Sequence, residues 1–287
     1  MAFASRDGTS IHYERDEVAD GETVVFVQGL GYGRWMWRWQ REALRGEYDV
    51  LAPDTRGTGR SDDGLFALAR RLPRRVRAPV LARRGGYTVD GLAADLDAVL
   101  DAAGVWNAHL VGASTGGMVA LQYALEYDRA SSLALVGTSR GGQDAVPVPA
   151  ECRAHLFGTG GRSGRRERMR HRLRPVFTER FTNRNPHLLD RIVEWSLERD
   201  ADGPTREALA RTLREFDASD RLDRIRVPTL VLHGSDDRVL PVANGRLLAE
   251  KIADSRYVEL EGGGHLLPVE NADRVSEELL AFLDEQA

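Results

Sequence analysis

The strongest constraint on the fold is the alternation of two hydrophobic patterns along the chain. Short apolar runs typical of buried strands alternate with longer segments that have the apolar spacing of amphipathic helices. This order indicates an α/β protein with a largely parallel sheet. The predicted strands are Thr9–Arg15, Thr23–Gln28, Tyr48–Ala52, Ala108–Gly112, Ser132–Val136, Thr229–His233 and Arg256–Leu260.

Three segments show clear helical patterns. They are Thr88–Ala103, Gly116–Glu126 and Ala272–Asp284. In the first, Thr88 has the position of an N-cap residue, because it immediately precedes the periodic apolar residues. The apolar face of this helix is formed by Leu92, Leu96, Val99 and Leu100. The sequence therefore predicts helices that pack against the sheet.

Two segments interrupt the alternation. Residues 62–86 contain the basic stretch ARRLPRRVRAPVLARR, which predicts a loop. Residues 141–223 contain a glycine-rich stretch and then amphipathic patterns such as HLLDRIVEWSLER. We predict an α/β core made of residues 1–140 and 224–287, and a helical cap inserted at 141–223.

Composition narrows the class of protein. The chain has 287 residues, of which 42% are hydrophobic, and this length and composition suit a globular protein with a large core. Cys152 is the single cysteine, so no intrachain disulfide can form. The N-terminal residues lack the apolar region of a signal peptide, and no apolar run reaches the roughly 20 residues of a membrane span. We expect a cytoplasmic protein that does not insert into membranes.

The arginine-rich runs raise the question of nucleic-acid binding. The formal net charge is −4, and no nucleic-acid-binding motif accompanies the runs. We therefore interpret them as solvated surface and predict a small-molecule substrate as the partner. An anionic substrate group held by arginines of the cap remains an open alternative, and the oligomeric state is left open.

The most informative motif is the run HLVGASTGGMVALQYA, which reads as a strand, a G-x-S-x-G turn and a helix. In this setting the motif predicts a nucleophile elbow, in which a strained backbone at Ser114 holds its hydroxyl clear of the sheet. Gly112 and Gly116 would let the helix pass close to the strand. The N–H groups at the helix start would face a developing anion.

A serine hydroxyl needs a base, and the base needs an acid to orient it. On this scaffold the acid and then the histidine follow the serine along the chain. Asp236 and Asp237 follow one predicted strand, and His265 follows the next. Both loops come after strand carboxyl ends, where open α/β sheets place their sites. We predict Ser114, His265 and one of these aspartates as the catalytic group.

The stretch VVFVQGLGYGRW, residues 24–35, ends a predicted strand in three glycines and resembles the start of a dinucleotide-binding unit. That fingerprint requires the spacing G-x-G-x-x-G, and its third glycine would fall on Arg34. We predict instead an anion-stabilising loop, in which the N–H groups of Leu30 and Thr115 form an oxyanion hole. Gly29 and Trp35 are predicted to contact the substrate, with helix packing as the alternative role for Trp35.

Several stretches together resemble the α/β-hydrolase superfamily, and within it the branch of esterases, lactonases and cofactor-free haloperoxidases. They are VVFVQGLGYG, VLAPDTRGTGRSD, LVGASTGGMVALQYA, VPTLVLHGSDDRVLP and EGGGHLLPVENADRV. In that family the acid loop has the pattern G-x-x-D-x-x-x-P, which Gly234, Asp237 and Pro241 match. The resemblance therefore implies that Asp237 is the acid. The chain departs from the family's pattern at two positions. Gln28 stands where the family usually has histidine, and Thr115 is the residue after the nucleophile.

The resemblance implies a serine hydrolase that cleaves a carboxylic ester or lactone through an acyl-enzyme, without metal or organic cofactor. Hydrolysis of a C–C bond in a diketone-type substrate is an alternative within the same site. A ligand receptor with negligible turnover and a dinucleotide-binding oxidoreductase are alternatives from other classes.

Overall fold

The computed structural model describes residues 2–64, 71–73, 75–76, 80, 86–157 and 164–286. Within these ranges, eight strands form one sheet in the order β1-β2-β4-β3-β5-β6-β7-β8. Strands β3 to β8 run parallel, whereas β2 pairs antiparallel with both β1 and β4. The strands are β1 (Ala2–Arg6), β2 (Thr9–Asp16), β3 (Thr23–Val27), β4 (Asp49–Pro53), β5 (Ala108–Ala113), β6 (Ala130–Val136), β7 (Thr229–Gly234) and β8 (Ser255–Leu260).

All seven predicted strands are present, with ends that differ by one or two residues. Strand β1 was not among the predicted strands, and it pairs with β2 through a two-residue turn. Asp7 and Gly8 form this turn with φ values of 50° and 73°. An Asp-Gly pair with positive φ at both residues is favoured in hairpins, because its twist matches that of the paired strands. The short hairpin therefore had a local signal that the apolar pattern did not show.

Helices cover both faces of the sheet. They are α1 (Arg38–Leu44), α2 (Val89–Ala103), α3 (Thr115–Glu126), α4 (Ala150–Phe157), α5 (Arg165–Leu173), α6 (Glu179–Arg184), α7 (Pro186–Arg199), α8 (Gly203–Glu215), α9 (Ala243–Lys251), α10 (Leu267–Glu270) and α11 (Ala272–Asp284). The three predicted helices are α2, α3 and α11. The predicted N-cap residue of α2 is also confirmed, because Thr88 Oγ1 accepts a hydrogen bond of 2.9 Å from Gly91 N. Within the described part of the chain, every helix is too short or too polar to span a bilayer.

The core has two layers, one on each face of the sheet. In β3, Val25 and Val27 belong to one apolar cluster, and Val24 and Phe26 belong to the other. This alternation follows from the two-residue period of a strand. Since helices cover both faces, the central parallel strands are apolar on both sides.

Helices α4 to α8 all lie between β6 and β7, in the segment predicted as an insertion. The glycine-rich residues 158–163 and most of the basic segment 62–86 lie outside the described residues. Because β3 to β8 are parallel, the loops that follow β3, β5, β7 and β8 leave the sheet at its carboxyl edge. These are the loops to which the sequence assigns the candidate site.

Candidate active site

Ser114 occupies the sharp turn between β5 and α3. Its backbone has φ 53° and ψ −118°, and in the described residues only Asp7 and Asp20 are other non-glycine positions with positive φ. Hydrogen bonds hold this turn: Ser114 N donates to Val136 O at 2.9 Å, and Thr138 Oγ1 donates to Ser114 O at 2.6 Å. A strained serine between a strand and a helix is the geometry of a nucleophile elbow.

Two glycines permit the close approach of α3 to the sheet. A Cβ atom at Gly116 would overlap the carbonyl of Val27, and one at Gly112 would overlap the carbonyl of Gly116. Both obstacles are backbone atoms, which cannot rotate away as a side chain can. The two glycines of G-x-S-x-G are therefore required by space at these positions.

Ser114, His265 and Asp237 form one hydrogen-bonded chain. The Ser114 Oγ lies 3.1 Å from His265 Nε2, and His265 Nδ1 lies 2.7 Å from Asp237 Oδ2. Since a carboxylate accepts only, the network assigns the ring proton to Nδ1 and leaves Nε2 to accept from the serine hydroxyl. The three residues come from the loops after β5, β7 and β8, as the sequence predicts.

Asp237 is held as an ionised acid. Its Oδ1 accepts hydrogen bonds from Val239 N and Leu240 N, each at 2.8 Å. Burial opposes ionisation, but the charge of His265 and hydrogen bonds from His233 and His265 outweigh it and lower the pKa of Asp237 to about 2. The neighbouring Asp236 is exposed and accepts from Ser235 Oγ instead. The structure thus brings Asp237, and not Asp236, to His265.

A second histidine, which was not predicted from the sequence, contacts the acid. His233 is fully buried at the end of β7, and its Nε2 lies 3.3 Å from Asp237 Oδ2 and 2.8 Å from Leu240 O. An Nε2–H group at this position faces both acceptors, Asp237 Oδ2 and Leu240 O, and so links β7 to the acid loop. The sequence offered no signal for it, because a histidine inside an apolar strand is equally typical of core packing.

The predicted anion-stabilising loop lies beside Ser114. A Cβ atom at Gly29 would lie 3.4 Å from Ser114 Cβ, so the loop backbone passes next to the serine. Leu30 follows on this loop, and Thr115 is the first residue of α3. Among the described residues, neither the Leu30 N–H nor the Thr115 N–H donates to another protein group. Both remain free to donate to an oxyanion.

Gln28 fixes the start of this loop. Its Nε2 donates to Pro53 O at 2.7 Å, and its Oε1 accepts from Thr55 Oγ1 at 3.0 Å. The side chain is buried, and both of its polar groups are satisfied. Gln28 therefore ties the loop after β3 to the loop after β4, in the position where the resembling family has histidine.

Trp35 does not line the cavity at Ser114, which corrects its prediction as a substrate-binding residue. The indole is buried, and its Nε1 donates to Asp200 Oδ1 at 2.8 Å. Its ring packs edge-on against Tyr32, with centroids 5.7 Å apart. The structure therefore agrees with the alternative prediction, a packing role for Trp35. The indole connects its loop to the end of α7 and does not face the cavity.

A cavity of about 570 Å³ opens onto Ser114 and His265. Its walls are largely apolar, and many of them belong to residues 141–223. The apolar lining includes Met118, Val146, Leu156, Leu213, Val239 and Leu240. This volume suits a small organic molecule, since ligand pockets measure roughly 300–1,000 Å³.

Asp54 is not available to bind a ribose, as a dinucleotide site would require. Its side chain is buried, its Oδ1 accepts from Arg34 Nε at 2.8 Å, and its Oδ2 accepts from Arg60 N at 3.0 Å. The carboxylate thus stabilises the loop in which it lies. This geometry agrees with the failed glycine spacing of the dinucleotide fingerprint.

A parallel sheet with a nucleophile elbow, and with an aspartate and a histidine on later loops, defines the α/β-hydrolase class. The chain belongs to this family: the family model described as "Alpha/beta hydrolase family" matches residues 24–278. The resemblance inferred from the sequence motifs is therefore confirmed, and the protein is a hydrolase.

Three similar proteins cover nearly the whole chain. "Putative carbamate hydrolase RutD" of Azorhizobium caulinodans is 28% identical over 99% of each chain. The "2-hydroxy-6-oxononadienedioate/2-hydroxy-6-oxononatrienedioate hydrolase" of Paraburkholderia phymatum is 30% identical over 95% of this chain and 90% of its own. The crystal structure of the enol-lactonase from Burkholderia xenovorans LB400 superposes with a TM-score of 0.79, with 28% identity over 99% of this chain and 100% of its own.

Proposed function

We propose that this protein is a serine hydrolase that cleaves a small-molecule carboxylic ester or lactone through an acyl-enzyme. The observation that carries the proposal is the hydrogen-bonded chain from Ser114 through His265 to Asp237, which ends at the cavity. Nucleophile, base and orienting acid are all within hydrogen-bond reach, as covalent acyl transfer requires.

In the first half of the reaction, Ser114 Oγ attacks the substrate carbonyl and its proton passes to His265 Nε2. Asp237 accepts from Nδ1–H and so stabilises the imidazolium that forms. The carbonyl oxygen becomes an oxyanion, which receives hydrogen bonds from the N–H groups of Leu30 and Thr115. Collapse of this intermediate breaks the bond to the leaving alkoxide, which takes the proton from His265.

In the second half, a water molecule replaces the alcohol. His265 Nε2 takes a proton from this water, and the resulting hydroxide attacks the acyl carbon bound to Ser114. The same two N–H groups stabilise the second oxyanion, and the serine leaves with the proton from His265. A lactone follows the same steps, with the leaving oxygen still attached to the acyl chain.

Two observations support an oxygen ester as the substrate: the lining of the cavity and one similar solved structure. The apolar walls suit an acyl or ring group, and the enol-lactonase is similar over the whole chain. We propose that residues 141–223 act as a cap that selects the substrate, because they supply much of the cavity wall. No residue is assigned to a cofactor, and a cytoplasmic location remains our proposal.

Cleavage of a C–C bond is the second candidate. The Paraburkholderia phymatum hydrolase, named for 2-hydroxy-6-oxo dienedioates, is 30% identical to this chain. Such a substrate carries a ketone, which the same serine and oxyanion hole can attack. The RutD relatives are named as putative carbamate hydrolases. A carbamate has a nitrogen on the carbonyl carbon where a carboxylic ester has a carbon, so the same serine can attack it.

The test combines labelling with a substrate panel. A fluorophosphonate should label Ser114, as located by peptide mass, and Ser114→Ala should abolish both labelling and hydrolysis. The panel contains p-nitrophenyl esters of increasing acyl length, a γ-lactone, a carbamate and a 2-hydroxy-6-oxo dienoate. Labelling at another residue, or full p-nitrophenyl acetate hydrolysis by Ser114→Ala, would contradict the proposed mechanism. Faster turnover of the dienoate than of every ester would favour the second candidate.

A further inference from the structure

We infer that Asp200 and Arg206, which lie between β6 and β7, are positioning residues that hold the oxyanion loop in its working geometry. The loop in question is residues 29–35. This inference rests on the proposed function and extends it, because it assigns to the cap segment a role in the rate of the reaction as well as in substrate choice.

Asp200 binds the far end of the loop. Its Oδ1 accepts hydrogen bonds from Gly33 N at 2.9 Å and from Trp35 Nε1 at 2.8 Å. One carboxylate oxygen thus fixes both the backbone and a side chain of the loop. Burial raises the pKa of Asp200, whereas the charge of Arg206 and the hydrogen bonds from Trp35 and Gly33 oppose this rise and favour the carboxylate. Hydrogen bonds to a carboxylate are stronger than those to a neutral acceptor.

Arg206 binds the near end of the loop and also lines the cavity. Its Nη1 donates to Leu30 O at 3.1 Å, and its Nη2 donates to Gly31 O at 3.3 Å. Gly31 O also accepts from Ala201 N at 2.9 Å. The two peptide groups that follow the Leu30 N–H are therefore held by the cap segment, which limits rotation of the Leu30 backbone.

The fit between the loop and residues 199–201 is close. A Cβ atom at Gly33 would lie 2.6 Å from Arg199 Cβ. Gly31 has φ 64°, and a Cβ atom there would lie 3.0 Å from Ala201 Cβ. Glycine at both positions lets the cap segment lie directly on the loop, so the contact does not depend on hydrogen bonds alone.

Asp200 and Arg206 also form a buried ion pair. Their closest atoms are 3.6 Å apart, and their side chains are 1% and 4% exposed. Loss of either partner would leave a buried charge, which is costly in an interior that water does not reach. The ion pair therefore stabilises the contact between the loop at residues 29–35 and the cap segment.

The consequence concerns the transition state. An oxyanion donor is effective only when its N–H is aimed at the place where charge develops, and small displacements cost large factors in rate. Loosening the anchor should therefore lower kcat and leave KM nearly unchanged. A change in substrate contact alone would act mainly on KM.

The experiment measures kcat and KM for p-nitrophenyl acetate in Arg206→Gln, Trp35→Phe and the control Arg211→Gln. Arg211 is exposed on the same helix and does not line the cavity. Trp35→Phe removes a single N–H donor to Asp200 and keeps a ring, so it tests the anchor if Arg206→Gln does not fold. We expect kcat to fall about tenfold to a hundredfold in the two test variants, with KM within about twofold of wild type.

A second comparison uses Asp200→Asn and Asp200→Ala. Asparagine keeps an acceptor oxygen for Gly33 N and Trp35 Nε1, so its kcat should exceed that of the alanine variant. Equal kcat values in the wild type, Trp35→Phe and a folded Arg206→Gln would overturn the inference. Failure of the wild type to hydrolyse any ester, or to be labelled at Ser114, would instead count against the proposed function.

Discussion

The Nε2 atom of His233 lies 3.3 Å from Asp237 Oδ2, so the buried acid faces two imidazoles, of which only His265 reaches Ser114. The same nitrogen of His233 lies 2.8 Å from Leu240 O. Asp237 Oδ1 accepts from Leu240 N. Strand β7 and the acid loop are therefore joined through His233, which gives this histidine a supporting role.

Substitution His233→Leu should lower kcat by about tenfold and reduce stability by about 1–3 kcal/mol. Leucine fills a similar space but leaves Leu240 O without a donor, and an unsatisfied buried acceptor carries a cost of this size. Esterase kinetics and urea denaturation measure the two effects. His109→Leu is the control, since His109 is also buried in a strand but contacts Ser132 Oγ at 2.8 Å rather than the acid. A loss of kcat of equal size in both variants would contradict a specific role of His233.

The pKa of Asp237 gives a prediction for acid stability. Its folded-state pKa of about 2 lies below the ordinary value of about 3.9 for an aspartate in an unfolded chain. The contribution to stability is therefore complete above pH 4 and is lost as pH falls towards about 2. It amounts to about 2 kcal/mol. Urea denaturation at several pH values should show a smaller decline between pH 4 and 2.5 in Asp237→Asn, and parallel declines would contradict the prediction.

The two adjacent aspartates provide a matched pair. Asp237→Asn should lower kcat by about 10⁴, because the N–H groups of Val239 and Leu240 hold the amide oxygen and leave the amide NH2 group facing Nδ1. A donor at that position disfavours the Nδ1–H tautomer that lets Nε2 accept the serine proton. Asp236→Asn should change kcat by no more than about twofold, since Asp236 is exposed and contacts Ser235. Measuring kcat for an ester substrate in both variants shows which of the two aspartates acts with His265. A large loss in Asp236→Asn would contradict the geometry.

The sequence predicted seven of the eight strands in the described residues and three of the helices, α2, α3 and α11. It also predicted the residues of the hydrogen-bonded chain Ser114–His265–Asp237, and all of these predictions have local physical reasons. The apolar runs are long enough to be buried on both faces, and Gly112 and Gly116 have no substitute where backbone atoms are so close. Because β5, β7 and β8 are parallel, the loops that carry Ser114, Asp237 and His265 all leave the sheet at its carboxyl edge. These signals all lie within short stretches of sequence.

The contacts that the sequence could not predict all join distant segments. Asp200 and Arg206 reach residues 30–35 across more than 160 positions of the chain, and neither residue lies in a recognisable sequence motif. Trp35 gave an aromatic signal, but only the position of Asp200 shows that the indole nitrogen donates to the residue after α7 rather than facing the cavity. Amphipathic patterns indicate that a helix is buried on one side, and they do not state which loop it covers.

Gln28→Leu should destabilise the protein and slow the reaction together. Leucine removes the donor to Pro53 O and the acceptor for Thr55 Oγ1, which costs about 1–3 kcal/mol for buried groups. Thr55→Val removes only the second contact and should cost less. Because Gln28 immediately precedes Gly29 and Leu30, its loss should also lower kcat for p-nitrophenyl acetate by about tenfold. Thermal unfolding and kinetics on the single variants and on the double variant measure the coupling between Gln28 and Thr55. Strictly additive losses would show that the Gln28–Thr55 hydrogen bond does not support the loop, and the role of Gln28 would then rest on Pro53 alone.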